Sequence, residues 1–182
     1  MPRPIALTHH RCDVSFVQQE LETAQWNEHT MRVDQYQSPH KVSDIWLRFN
    51  KWSNYDGDQA AFVDEHESVW YPQALRLPRC VLAACRVAEL MGARQLGGVL
   101  ITKIPPSGEV APHVDRGWHA EYYDKAALQI QGNKDQGFHF DGCSVSALPG
   151  QIYRFDNSQT HWVTNDSDED RITMIVCYKR SI

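Results

Sequence analysis

Two short stretches of this sequence contain the side chains of a metal site. The first is His113-Val114-Asp115, and the second is Phe155-Asp156-Asn157-Ser158-Gln159-Thr160-His161. Two imidazoles and one carboxylate on one face of a ferrous ion leave three coordination positions for a co-substrate and dioxygen, as in non-haem Fe(II) oxygenases. Residues i and i+2 of a strand point to the same side, so His113 and Asp115 face together if the strand runs through them. His161 on a facing strand then closes a triad of His113, Asp115 and His161. Beyond it come Arg171 and Thr173. A planar guanidinium at that place can grip the far carboxylate of 2-oxoglutarate through two parallel hydrogen bonds. The His-x-Asp pattern is weak by itself, and with nine histidines in the chain a later histidine is almost guaranteed. The bare pattern also fits a surface His-Asp pair with a satisfied half-buried histidine, and Arg171 also fits a surface arginine paired with Asp168 or Asp170.

The elements that must position these residues are legible as short apolar runs cut by turns. The pattern predicts strands over 99–104, 110–114, 126–131, 137–140, 151–155, 161–164 and 172–179. Pro105-Pro106-Ser107-Gly108 and Leu148-Pro149-Gly150 are turns between them. Strands of this number and regularity close as a sandwich or barrel, and a double-stranded jelly roll is one such closure. His113 and Asp115 then lie at the end of one strand, and His161 and Arg171 each open another. The earlier part reads differently. Asp13 is a plausible N-cap for a helix over 14–26, 45–49 is a short strand, and a second helix covers 59–70. Pro78 opens a strong helix over 79–91, with Gly92 as its stop. The expected fold is mainly β with flanking helices around a double-stranded β-helix (jelly-roll, cupin-like) core. The expected organisation is one domain over 1–182, with helix-rich support in 1–96 and the core with the metal site in 97–182.

Composition agrees with a globular domain. The chain has 182 residues, 42% hydrophobic and 23% charged, enough to bury its own core. Its net charge of −5 argues against a generally basic nucleic-acid-binding surface. Cys12, Cys80, Cys85, Cys143 and Cys177 are scattered with no CxxC pair, which fits reduced thiols in the cytoplasm. The opening Met1-Pro2-Arg3-Pro4 has no apolar run behind it, and no stretch approaches the roughly 20 apolar residues of a membrane span. The six tryptophans are spread along the chain and read as core or pocket wall.

Phe155-Asp156-Asn157-Ser158, then His161, Val163 and Asn165, then Arg171, resemble the distal motif of the aspartyl/asparaginyl β-hydroxylase family of Fe(II)- and 2-oxoglutarate-dependent dioxygenases. Pro112-His113 and Leu148-Pro149-Gly150-Gln151 fit the same pattern. The resemblance covers about 99–176 and is looser in Ile45-Trp46-Leu47-Arg48-Phe49. It implies Fe(II), 2-oxoglutarate and O2 as cofactors, His113 and His161 as iron ligands, and Arg171 as the co-substrate anchor. It also implies a basic co-substrate contact in the strand after the first histidine, where Lys125 falls nearest. The implied reaction is hydroxylation of a C–H bond of an amino acid or of a peptidyl Asp or Asn side chain. One departure stands out. The animal members that hydroxylate epidermal-growth-factor-like domains have no carboxylate where Asp115 stands, so this chain is closer to small bacterial or phage-type members.

Other residues have two readings each. Asn157, Ser158 and Asn165 orient the imidazoles or simply make turns. Trp118, His119, Tyr122 and Tyr123 form a loop over the site that grips substrate, or pack. Arg48 pairs with a substrate carboxylate or caps its strand, and His139 faces the pocket or the opposite side of its sheet. Three rival functions remain. A cupin-like enzyme leaves Arg171 without a role. A nucleic-acid-modifying dioxygenase shares the His-x-Asp…His pattern, but such enzymes usually carry a second arginine six residues after the first, where Cys177 stands here. A non-catalytic jelly-roll binding module is the third. The expected partner is a small molecule or a peptide, with no nucleic acid and no membrane, and oligomeric state is not readable.

Overall fold

The computed structural model describes residues 3–28 and 42–180. The strands are β1 (Ile5–Arg11), β2 (Asn27–Glu28), β3 (Ser43–Phe49), β4 (Val69–Trp70), β5 (Ala93–Ile104), β6 (Glu109–His113), β7 (Asp124–Gln131), β8 (Gln136–Phe140), β9 (Cys143–Val145), β10 (Gln151–Phe155), β11 (His161–Asn165) and β12 (Arg171–Arg180). The helices are α1 (Ser15–Leu21), α2 (Gln59–Phe62), α3 (Pro72–Arg76), α4 (Pro78–Leu90) and α5 (Trp118–Tyr122), with a 3-10 turn at Trp52–Asn54. The strands form two antiparallel sheets. The larger has the order β1-β10-β7-β12-β5-β3-β2, with β4 added to β3, and the smaller has the order β6-β11-β8-β9. Crossing between sheets in the sequence β5-β6, β7-β8, β9-β10 and β11-β12 makes the expected jelly roll.

Each face of the larger sheet is covered, and by different partners. Its outer face carries Ile45, Leu47, Val99, Ile101, Leu128, Ile152, Met174 and Val176 against Val17 and Leu21 of α1 and Cys80, Ala84 and Val87 of α4. Its inner face meets the smaller sheet through Ile104, Ala127, Tyr153 and Phe155, packed on Phe138, Phe140 and Val163. Strand alternation assigns the two sets: in β12, residues 172, 174, 176 and 178 go outward and 171, 173, 175 and 177 inward. The inner face is the one that holds chemistry.

Several boundaries differ from the sequence reading. The helix expected over 14–26 is confined to α1, and Asp13 Oδ1 accepts a hydrogen bond from Ser15 N–H at 2.9 Å just ahead of it. The helix expected over 59–70 is only α2, because Val69 and Trp70 are taken into β4 opposite Phe49 and Arg48. The 1–96 segment also supplies sheet as well as helices. β1 pairs with β10 (Ile5 opposite Phe155), and β3 pairs with β5 (Trp46 opposite Leu100). Gly150, at φ +82°, turns the chain into β10, donates its N–H to Gln129 O at 2.8 Å and accepts from Cys12 N–H at 2.9 Å. A side chain there would meet the Cys12 carbonyl, so the Leu148-Pro149-Gly150 turn also ties down the end of β1.

Candidate metal and co-substrate site

β6 and β11 are neighbours in the smaller sheet, and their register sets His113 directly opposite His161. The imidazole centroids are 4.3 Å apart. Each ring is oriented by its own backbone. His113 Nδ1 contacts Ala111 O at 2.8 Å, and His161 Nδ1 contacts Gln159 O at 2.9 Å. A carbonyl accepts only, so Nδ1 carries the proton in both rings and Nε2 is left as the lone-pair donor. Burial pushes the His161 pKa down, which keeps the ring neutral as metal binding requires. Phe138, Phe140 and Phe155 pack around it, with the Phe138 ring stacked at 5.4 Å.

Asp115 completes the group. It lies just past β6, and its N–H donates to Asn157 O at 3.1 Å, which ties it to the turn that precedes His161. Its Oδ1 is 3.5 Å from His113 Nε2. Burial opposes ionisation of this carboxyl, but the charge and hydrogen bond of Lys125 overcome that, with smaller help from His161 and His113. The pKa is therefore held below the usual carboxylate value. One ligand atom from each of His113, Asp115 and His161 fits within 4.8 Å of the others. Two imidazole nitrogens and an ionised carboxylate this close together suit a ferrous ion.

Arg171 lies elsewhere on the inner face. It is 3% exposed at the start of β12, which rules out a surface arginine paired with Asp168 or Asp170. Its Nη2 donates to Tyr153 Oη at 3.0 Å and to Gln129 Oε1 at 3.3 Å. Gln129 Oε1 also accepts from Thr173 Oγ1 at 3.3 Å, while Gln129 Nε2 donates to Gln131 O and Ile172 O. Among the described residues the guanidinium meets neutral oxygens only. Tyr153 links it to the metal end, since its ring packs on Phe138, which stacks on His161. Gln129 and Tyr153 were not singled out from the sequence. The available signal was Gln129 as the one polar residue within the run Ala126–Ile130 of β7.

Lys125 opens the inner face of β7 and is ion-paired with Asp115 Oδ2. The Trp118–Tyr123 stretch, expected as a loop, is the short helix α5. Gly117 starts it at φ +92°, a backbone conformation that residues with a side chain rarely adopt. His119 is buried, and its Nε2 accepts the Gly98 N–H at 3.1 Å. Burial first, then the charge of Lys125, pushes its pKa down to about 3. The Tyr122 ring stacks on Trp118 at 4.7 Å and has the Lys179 ammonium over it at 4.6 Å. Asn157 Nδ2 donates to Ala120 O at 3.0 Å, so this one residue holds both Asp115 and α5.

The remaining candidates have structural roles in the fold. Ser158 closes a turn on Asp156 Oδ1. Asn165, fully buried, donates to Ile104 O, Pro105 O and Glu169 O and accepts from Ser167, which fixes the turn into β12. Arg48 follows a bulge in β3, lies 5.3 Å from the Trp70 ring and donates to Leu96 O. His139 contacts Thr164 Oγ1 at 3.0 Å and stacks on Trp162, on the outer side of the smaller sheet.

The profile of the aspartyl/asparaginyl β-hydroxylase family matches residues 13–181. Solved structures share the fold at low identity. One is a 2OG-Fe(II) oxygenase family oxidoreductase from Burkholderia pseudomallei, with TM-score 0.59 and 11% identity over 93% of this chain and 79% of that one. Another is a prolyl-4-hydroxylase from Pseudomonas putida, with TM-score 0.53 and 13% identity over 100% and 95%. A third is the viral collagen prolyl hydroxylase of Paramecium bursaria Chlorella virus-1, with TM-score 0.53 and 7% identity over 99% and 98%. No curated protein matches the sequence. No helix among the described residues is long and apolar enough to cross a membrane.

Proposed function

The chain belongs to the aspartyl/asparaginyl β-hydroxylase family, and from that premise we propose which residues carry its reaction and what it acts on. It is an Fe(II)- and 2-oxoglutarate-dependent hydroxylase. In our reading His113, Asp115 and His161 hold the iron, and Arg171 holds the far carboxylate of 2-oxoglutarate. Thr173, Gln129 and Tyr153 set the guanidinium in place. Bound iron supplies the centre at which decarboxylation of 2-oxoglutarate to succinate is coupled, with O2, to hydroxylation of a substrate C–H bond.

The observation that supports this most is the set of partners Arg171 has on the inner face. A guanidinium shielded from water is costly unless an anion joins it, and its hydrogen-bond partners among the described residues, Gln129 and Tyr153, are neutral. A dicarboxylate spanning from the triad to Arg171 removes that cost. The substrate we propose is an amino acid or a peptidyl Asp or Asn side chain, with 1–182 acting as one catalytic unit.

Succinate release from 2-oxoglutarate with Fe(II), measured against a panel of free amino acids and Asp- or Asn-containing peptides, tests the proposal. Turnover stimulated by one class of substrate and lost in His161→Ala is the expected result. Stimulation by a nucleic acid alone would move the substrate to the rival class. No turnover under any condition would leave only a binding module.

A further inference from the structure

The two oxygens of Asp115 have different neighbours. Oδ2 is held by the Lys125 ammonium, and Oδ1 points to His113 Nε2. Both side chains are well shielded, 12% exposed for Lys125 and 17% for Asp115. Lys125 comes from β7 and lies opposite Cys177 of β12. Between that row and Arg171, β12 and β7 carry the Ile175–Ala127 and Thr173–Gln129 pairs. Lys125 is therefore at the metal end of the inner face, and Arg171 is at the other.

A carboxylate just past the end of a strand turns easily about its last torsion. Asp115 has its backbone N–H on Asn157 O, which fixes where the residue sits but not how its carboxylate is turned. The contact with Lys125 adds that second restraint, from a strand in the opposite sheet. We propose that Lys125 is a positioning residue for the metal ligand Asp115. It holds Oδ2, so that Oδ1 is the oxygen offered to the ion beside the two imidazoles. This assignment rests on the triad being the metal site, and it leaves the far end of 2-oxoglutarate to Arg171. It also removes a role in co-substrate binding that the family resemblance implied for Lys125.

The nearby ammonium has a competing effect, since a cation repels a dication. The sign of the change on removing it separates the two. Co(II) binding to the full-length protein, followed by calorimetry and visible absorption, is the measurement. Lys125→Met should weaken Co(II) binding about 10–100-fold, the usual cost of losing a partner that orients a ligand. 2-Oxoglutarate affinity at saturating Co(II) should stay as in the parent. Lys125→Arg should recover most of the loss, and in an Asp115→Ala background Lys125→Met should add nothing. Should Lys125→Met melt early, Lys125→Leu, which likewise has neither donor nor charge, is read the same way. Unchanged or tighter Co(II) binding in the uncharged variants overturns the proposal. So does a loss of 2-oxoglutarate affinity with the metal saturated, which would return Lys125 to the co-substrate. A parent that takes up no Co(II) overturns the triad itself, and parent binding that Lys125→Met does not alter overturns only the role of the lysine.

Discussion

The two faces of β12 are both closed to water, yet they are built from different residues. Outward, Ile172, Met174, Val176 and Tyr178 meet the helices. Inward, Arg171, Thr173 and Cys177 join Ile175 in facing the smaller sheet. Burial therefore does not tell core from site here, but chemical type at alternate positions does. The outer face gains stability from apolar contact, whereas the inner face keeps polar groups that a purely structural sandwich would replace. The contrast implies that substitutions on one face should act on folding, and on the other on ligands.

The largest test on the inner side is His161→Ala. It should abolish stoichiometric Fe(II) binding in an anaerobic titration, because two remaining ligands hold a labile ion poorly. Retained binding would take His161 out of the site. Arg171→Met comes next. Truncating one side of a buried charged pair costs roughly 2–5 kcal/mol, so 2-oxoglutarate affinity should fall at least about tenfold while Fe(II) affinity holds. Stability without ligand should be unchanged or higher, since a cation facing only neutral oxygens is removed. A marked loss of stability would make Arg171 a structural residue. Met174→Ala is the outer-face counterpart. It should lower unfolding free energy by about 2–5 kcal/mol in urea and leave both ligand affinities alone.

Acid provides a finer separation. Burial and Lys125 depress the pKa of His119 to about 3 in the folded protein, while the unfolded chain titrates near 6.5. The unfolded state takes the proton first, so stability should fall as pH drops from about 6.5 towards 3, by up to about 1.4 kcal/mol per pH unit. His119→Gln should flatten that slope in denaturant titrations at several pH values, and an unchanged slope would move the acid sensitivity to another group. The smallest effect is expected from Thr173→Val. It gives up one hydrogen bond to Gln129, about 1 kcal/mol, and should appear in 2-oxoglutarate affinity more than in stability.

The parts that were legible follow the same physics. β7, β10 and β12 were visible because apolar runs bounded by turns mark largely buried strands, and β11 because its residues alternate between buried and half-buried. The His113, Asp115 and His161 cluster was visible only in context: i+2 spacing with a later histidine is weak by itself, and its place in the β-rich half and in the family's distal motif singled it out. β1 was hidden: it is an edge strand whose Ile5 is buried while most of its other residues are exposed or half-buried, so it leaves no alternation to read. The expected helix over 59–70 failed because pairing with β3 took its last residues, and nothing in that segment announces a distant partner. Gln129 and Tyr153 became meaningful only when the register brought them to Arg171. The Lys125–Asp115 contact crosses between the sheets, beyond the reach of spacing arguments.

The turn between β11 and β12 joins the proposed metal ligand His161 to the proposed anchor Arg171. His161 opens β11 in the smaller sheet, Arg171 opens β12 in the larger, and the connection is stapled by Asn165 to the Ile104–Pro105 corner. On the roles proposed above, β11 and this connection make a caliper, with a metal ligand on one jaw and the anchor on the other. The jaws are held apart by the pairing of His161 with His113 and of Arg171 with Ile104, and the Asn165 staple locks the joint between them. Preference among diacids of different chain length is then a property of the barrel's frame as much as of the two side chains that touch the ligand.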